Sequence, residues 1–254
     1  VNIIYQPKGR AREYAGLALN PYSGCTHGCK YCFNQDAPFV KARMAGGGSD
    51  FFAGPEPKSD VLIKVRRDAA KLARIYKLAS NPCPEILVSF VGDPYQPAEI
   101  DLKLTRNIIK ILIQHDLPFT ILTKGGLRAI RDFYLIKDYP KASFGTTLTL
   151  NRAADCAYWE PNAADYWVRV ETIRLAKKVG IKTWVSLEPV IIPDQALRIV
   201  RECHEFVDHW KVGKINHDPD IEQKHDWLQF RTDAVALLDS LGADYYLKKS
   251  LTEL

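Results

Sequence analysis

The chain has 254 residues, 46% of them hydrophobic and 26% charged, with a formal net charge of +5. That length buries a sizeable core and that balance excludes a disordered or fibrous chain, while the charge is too mild to single out a nucleic-acid binder. No run reaches the ~18 apolar residues of a membrane span, and "VNIIYQPKGRAREY" lacks the apolar centre of a signal peptide, so a cytoplasmic, reducing setting without a membrane is expected.

In chain order, a short strand is expected at 16–20, followed at once by "NPYSGCTHGCKYCFNQ" (20–35) with Cys25, Cys29 and Cys32. The Gly/Pro-rich stretch "AGGGSDFFAGPEP" (45–57) reads as a surface loop or a lid. Apolar spacing at Val61, Val65, Leu72 and Tyr76 predicts a helix over 60–79, and "EILVSFV" (85–91) predicts a buried parallel strand. A helix opened by Asp101 (101–115), a strand (119–123), a helix (126–138) and a strand (142–150) follow. The helix 165–180 stops at Gly180 and feeds the strand 182–188. A helix 194–206, a strand 209–213 and a helix 226–241 complete the rhythm, with "ADYYLKK" as a further strand. Six alternating repeats define an α/β fold, a partial (β/α)6 TIM-type barrel of parallel strands with outer helices, in a single domain over 1–254.

In such barrels reactive groups sit where strands give way to loops. That places the cysteine loop, "GDPYQP" (92–97), "TKGG" (123–126), "TLTLNR" (147–152), "SLEPV" (186–190) and "KINHD" (214–218) on one face. In a reducing setting, clustered thiols are metal or redox ligands before they are disulfides. Three thiolates on a [4Fe–4S] cube leave one iron open to a ligand; the alternative is a structural zinc site completed by His27 or a distant histidine. Gly24 and Gly28 let the backbone curl around the metal.

Cys25-Thr26-His27-Gly28-Cys29-Lys30-Tyr31-Cys32-Phe33 resembles the C-x3-C-x2-C signature of the radical S-adenosylmethionine superfamily, whose partial barrel agrees with the repeats above. The resemblance implies a [4Fe–4S] cluster on Cys25, Cys29 and Cys32 and S-adenosylmethionine chelated to the open iron. One electron, from a flavodoxin- or ferredoxin-type donor, then yields methionine and a 5′-deoxyadenosyl radical that abstracts hydrogen from the substrate. By the same resemblance Gly92 and Asp93 stand where the superfamily binds the methionine amino group. Lys124 faces the methionine carboxylate and Thr147 and Thr149 face the ribose. Tyr31 and Phe33 flank the adenine. Glu188, a carboxylate at the end of an apolar strand, is read as a cofactor or substrate contact in preference to a structural salt bridge. Lys214, Asn216 and His217 are assigned to the substrate side, and the chain is expected to act as a monomer.

Within the superfamily, "SGCTHGCKYCF", "GDPYQPAE", "TKGG" and "SLEPV" look most like the spore photoproduct lyase-like proteins, which reverse a thymine lesion in DNA. Those lyases use a cysteine near the end of the second strand as hydrogen donor, whereas this chain has Ser89-Phe90-Val91 there. Cys156, in the loop after the fourth strand, and Cys83 and Cys203 are read as structural. Three functions stay open: a radical enzyme, lyase or other, on an unidentified substrate that includes nucleic acid among its candidates; a photoproduct-lyase-like repair enzyme; and a zinc-binding scaffold.

Overall fold

The computed structural model describes residues 2–35, 37–46, 50–216 and 218–254, the side chains of Gln35, Phe39 and Arg43 excepted. The chain opens with β1 (Ile4–Tyr5), a 3-10 turn (Gly9–Glu13), β2 (Leu17–Leu19) and β3 (Tyr22–Ser23). After the cysteine loop come α1 (Pro38–Ala45), β4 (Glu56–Pro57), α2 (Val61–Leu78), β5 (Ile86–Val88), α3 (Glu99–Leu102) and α4 (Leu104–Gln114). Next are β6 (Phe119–Thr123), a 3-10 stretch (Gly126–Asp132), α5 (Phe133–Ile136), β7 (Ala142–Thr147), α6 (Ala153–Trp159) and α7 (Tyr166–Lys178). The chain ends with β8 (Lys182–Val190), α8 (Pro193–Cys203), β9 (His209–Lys214), α9 (Pro219–Glu222), α10 (Trp227–Ser240), β10 (Tyr245–Leu247) and α11 (Lys249–Thr252).

Eight strands form one sheet in the order β1-β2-β5-β6-β7-β8-β9-β10. Every pairing in it is parallel except β1 with β2. The partial barrel expected from six repeats is present, extended by β10 as a further parallel strand and by the antiparallel β1. The sheet does not close, since β1 and β10 are its two edges.

Alternation along the strands sorts side chains into two layers. Ile86, Val88, Phe119 and Ile121 join the main core under the helices, where Val61, Val65 and Ala69 of α2 and Ile108, Ile109 and Leu112 of α4 pack. Leu87 and Trp184 form a separate interior cluster with Tyr14, against which Phe90 and Leu122 pack. Gly145 makes room for that ring: a Cβ there would lie 2.3 Å from Trp184 Cε2.

The open side is bridged by the segment after β1. Tyr14 donates its phenol hydrogen to Glu188, and Lys211 Nζ donates to the carbonyl of Tyr14. Glu13 accepts from the backbone of Lys249 at 2.8 Å, and Arg10 donates to Asn216 at 2.5 Å. An N-terminal strap thereby joins one edge of the sheet to β8, β9 and the segment after β10.

Several boundaries differ from expectation. The helix at 101–115 is two helices, broken where Lys103 adopts φ 51°. The helix at 126–138 is largely 3-10, and the strands at 85–91 and 142–150 end at Val88 and Thr147. Cys156 lies in α6 rather than in a loop, buried, with its thiol donating to the Leu150 carbonyl. Gly180 does follow α7, with φ 86°. Of the stretch 45–57, residues 47–49 lie outside the described residues; the remainder packs on the cysteine loop, with β4 paired to β3.

Candidate active site at the strand ends

The cysteine loop is held in place by backbone groups from two other segments and by the side chain of Gln96. Cys25 N donates to Phe51 O at 2.8 Å, and Lys30 N donates to Trp159 O at 2.9 Å. Gln96 spans the gap to the loop after β5, accepting from Thr26 N at 2.8 Å and donating to Gly24 O at 3.1 Å and Asp93 O at 3.0 Å. Gly24, at φ 98°, has no room for a side chain: a Cβ would lie 2.4 Å from Gly54 O.

A cavity of about 420 Å3 opens over the ends of the parallel strands. Cys25, Cys29 and Cys32 line it together with Tyr31 and Phe33. Gly92 and Asp93 follow β5, Lys124 follows β6, Thr147 ends β7 and Glu188 lies in β8, and all of them line the same cavity. Of the predicted contacts, only Thr149 is absent from the lining. β7 stops at Thr147, and Thr149, two residues further on, is buried next to Tyr31 behind the lining. Asn216 lines the mouth, Lys214 does not, and His217 lies outside the described residues.

Two carboxylates have structural partners. Asp93 accepts from Tyr95 N at 2.8 Å, Thr123 Oγ1 at 2.6 Å and Lys124 N at 2.7 Å, so it ties the β5 loop to the end of β6. Asp93 thereby closes a tight turn onto Tyr95, and its oxygens are largely committed. Glu188 accepts from Lys248 Nζ at 2.6 Å and from the Tyr14 phenol. The salt bridge ranked second for Glu188 is thus formed, because Lys248, almost fully buried, supplies the counter-charge the strand alone did not reveal.

Lys124 differs from both. Its ammonium makes no ion pair among the described residues and lies 5.6 Å from the Tyr31 ring centroid. Burial opposes its charge, but Cys29, Glu160 and Asp93 outweigh burial and hold its pKa above the ordinary lysine value. It is a permanent cation facing the cavity. Beneath the loop, Arg169 and Glu160 pair at 2.5 Å with both side chains fully buried, and Tyr31 donates to Glu160. Burial alone would raise the Glu160 carboxyl; Arg169 and Lys124 reverse that and leave it below the usual range.

Burial pushes the Cys25 thiol up to about 12 and Cys29 up to about 11. Burial thus favours the protonated thiols, and a metal bound there would displace those protons. Among the described residues no three His, Cys, Asp or Glu side chains gather around one ion. A multi-iron cluster takes one thiolate per iron, so its three thiols need not meet at a single ion. The donor set fits in a second respect: the loop carries buried polar atoms with no protein partner, His27 Nδ1 and Nε2, Thr26 Oγ1 and Asn34 Oδ1.

Gln96 was within a segment already singled out by its place after β5. Glu160, Arg169, Tyr14 and Lys248 carried no local signal; each is defined by a partner far away in the chain.

A partial β/α barrel with three thiols and an unpaired cation at its strand ends has the layout of a cofactor-dependent enzyme. A family-wide sequence model described as the radical SAM superfamily matches residues 19–207, and the chain belongs to that superfamily. Membership implies S-adenosylmethionine and an iron–sulfur cluster. An uncharacterized protein of Methanocaldococcus jannaschii is 30% identical over 214 residues, 83% of this chain and 74% of that protein. A spore photoproduct lyase variant with bound AdoMet and dinucleoside spore photoproduct superposes with a TM-score of 0.67 at 14% identity, over 96% of this chain and 78% of that one. Streptococcus suis SuiB bound to S-adenosylmethionine gives 0.65 at 13% identity, over 93% and 52%. The chain thus spans about half the length of SuiB.

Proposed function

We propose that the chain is a radical S-adenosylmethionine enzyme whose Cys25, Cys29 and Cys32 hold a [4Fe–4S] cluster through three irons. The observation that carries this reading is the convergence of the three loop thiols and the unpaired Lys124 on one cavity at the strand ends. Once loaded and reduced by an external one-electron donor of flavodoxin or ferredoxin type, the cluster and S-adenosylmethionine supply a carbon-centred radical for hydrogen abstraction.

The chain's own residues bind, orient and exclude water. Lys124 provides a charge for the methionine carboxylate, and a lysine needs no fixed fork geometry to do so. Gly92 keeps the wall open, since a Cβ there would meet Gly24 O at 2.9 Å. Asp93 acts through its brace to Lys124 N, holding that residue at the strand end. Thr147 presents a hydroxyl for the ribose, and Tyr31 and Phe33 offer rings to the adenine. Phe33 and Phe90 lie 5.3 Å apart and form an apolar rim.

Among the described residues, the thiols that line the cavity are those of the loop. Ser89 lines it too, but its hydroxyl donates to Asn20 Oδ1 and Val91 O. A thiol-dependent photoproduct repair is therefore the less supported branch, and the substrate is left as a molecule reaching the mouth beside Lys8, Arg10 and Asn216. The test is anaerobic reconstitution with iron and sulfide, reduction, and addition of S-adenosylmethionine. Equal release of 5′-deoxyadenosine and methionine is expected, and Cys29→Ala should abolish it; an iron-loaded chain that leaves the sulfonium intact refutes the reading.

A further inference from the structure

The most anomalous side chain in the site is His27. It sits between Cys25 and Cys29, is only 1% exposed, and lines the cavity. Neither ring nitrogen has a hydrogen-bond partner. A buried polar group without a partner is costly, and a partner that arrives with a ligand is one way a native chain offsets that cost.

The nearest protein group is the Asp93 carboxylate, whose Oδ2 lies 3.6 Å from His27 Nδ1, within ion-pair range but beyond hydrogen-bond reach. That carboxylate already accepts from Lys124 N, Tyr95 N and Thr123 Oγ1. Among the described residues Nε2 has no such neighbour. Gln96, the other polar group beside the loop, spends its amide on Thr26, Gly24 and Asp93. The backbone carbonyl of His27 is taken by Asn162 N at 3.2 Å, which fixes where the residue sits. In every protonation state an imidazole carries at least one N–H. His27 lines the cavity, and on the reading above the ligand group nearest the loop is the cluster with its sulfurs.

We infer that His27 is a positioning residue for the cluster, donating a ring N–H to one of its sulfurs and thereby raising its reduction potential. This rests on the three cysteines holding an iron–sulfur cluster. The loop already shows the same device elsewhere: Asn34 Nδ2 lies 3.6 Å from Cys32 Sγ, an N–H aimed at a ligand sulfur. Hydrogen bonds to cluster sulfurs stabilise the more negative, reduced form, so their number is one of the controls on potential. Two such donors, one on each side of Cys29, would make a difficult reduction easier without adding a ligand.

Two measurements test it. In the first, wild-type chain labelled with 15N-histidine is loaded with the cluster, reduced, and examined by pulsed electron–nuclear resonance. A weak 15N coupling to the cluster is expected, and its absence from a cluster that is present overturns the proposal. In the second, potentials are measured by titration followed by electron paramagnetic resonance, without turnover. His27→Leu should shift the potential to more negative values at unchanged iron content, and His27→Asn, which restores an N–H, should recover part of the shift. Equal potentials in all three chains overturn the proposal. If His27→Leu loses iron, His27→Asn and the labelled wild type decide the matter. A chain that assembles no cluster at all refutes the underlying functional reading, which is a different outcome from a cluster lacking the 15N signal.

Discussion

The Arg169 guanidinium lies 2.5 Å from the Glu160 carboxylate, with both side chains wholly shielded from solvent. The pair sits directly under the cysteine loop: Glu160 also accepts from Tyr31, and Arg169 donates to the Thr147 carbonyl at 2.8 Å. One ion pair therefore supports two walls of the cavity. Removing one partner strands a buried charge, which costs about 3–5 kcal/mol, whereas replacing both by apolar groups is far milder. Arg169→Met should lower the urea midpoint sharply, and Glu160→Leu/Arg169→Met should recover much of the loss. Equal destabilisation by the single and double changes would contradict this account.

Lys124 is the cation assigned to the cofactor's carboxylate. A hydrogen bond to a charged group contributes about 1.5–3 kcal/mol, so Lys124→Met should weaken S-adenosylmethionine binding roughly 10- to 100-fold. Equilibrium dialysis on cluster-loaded protein checks this. Lys124→Arg should bind better than Lys124→Met, because charge and not shape is required. Unaltered affinity in Lys124→Met removes the lysine from the site.

Gly24 and Gly180 both have positive φ, at 98° and 86°, and so share the backbone strain that an alanine would bring. They differ in surroundings. A Cβ at Gly24 would collide with Gly54 O and Phe51 O at 2.4 and 2.9 Å, while Gly180 has nothing within 4 Å. Gly24→Ala should reduce the iron bound per chain on reconstitution, and Gly180→Ala should lose only stability. Iron content that falls equally in both would mean that the loop's close packing is irrelevant to the cluster.

Lys211 is half-buried beside the Tyr14 and Trp184 rings, and its desolvation lowers its pKa to about 8. Below about 8 the folded chain carries this ammonium at a desolvation penalty. Between about 8 and the unfolded value near ~10.4 the unfolded chain binds more protons, so this residue makes stability rise with pH across that window. In urea melts the midpoint of wild type should gain on that of Lys211→Met between pH 8 and 10. A difference that stays constant with pH contradicts the shift.

Much of this arrangement was readable from local pattern. The fully apolar "ILV" of β5 and the apolar spacing of α2 are short-range signals, and strand ends follow from them. So does the convergence of the cysteine loop with Gly92, Lys124, Thr147 and Glu188 on one face. What escaped were relationships between distant segments. Nothing near Glu188 in sequence announces Lys248, and nothing near Tyr31 announces Arg169. The strap around Tyr14 was invisible because its geometry is set by β8, β9 and α11 rather than by its own residues. Thr149 lies past the end of β7 and behind the lining, a placement set by where the strand stops.

The central claim is that three loop thiols hold a four-iron cluster with one iron open to S-adenosylmethionine. Mössbauer spectra of chain reconstituted with 57Fe, before and after S-adenosylmethionine is added, test it most directly. About four irons per chain, with one site changing on addition and the other three constant, is the predicted result. A single zinc ion fully ligated by the loop, or four irons indifferent to the cofactor, would contradict it.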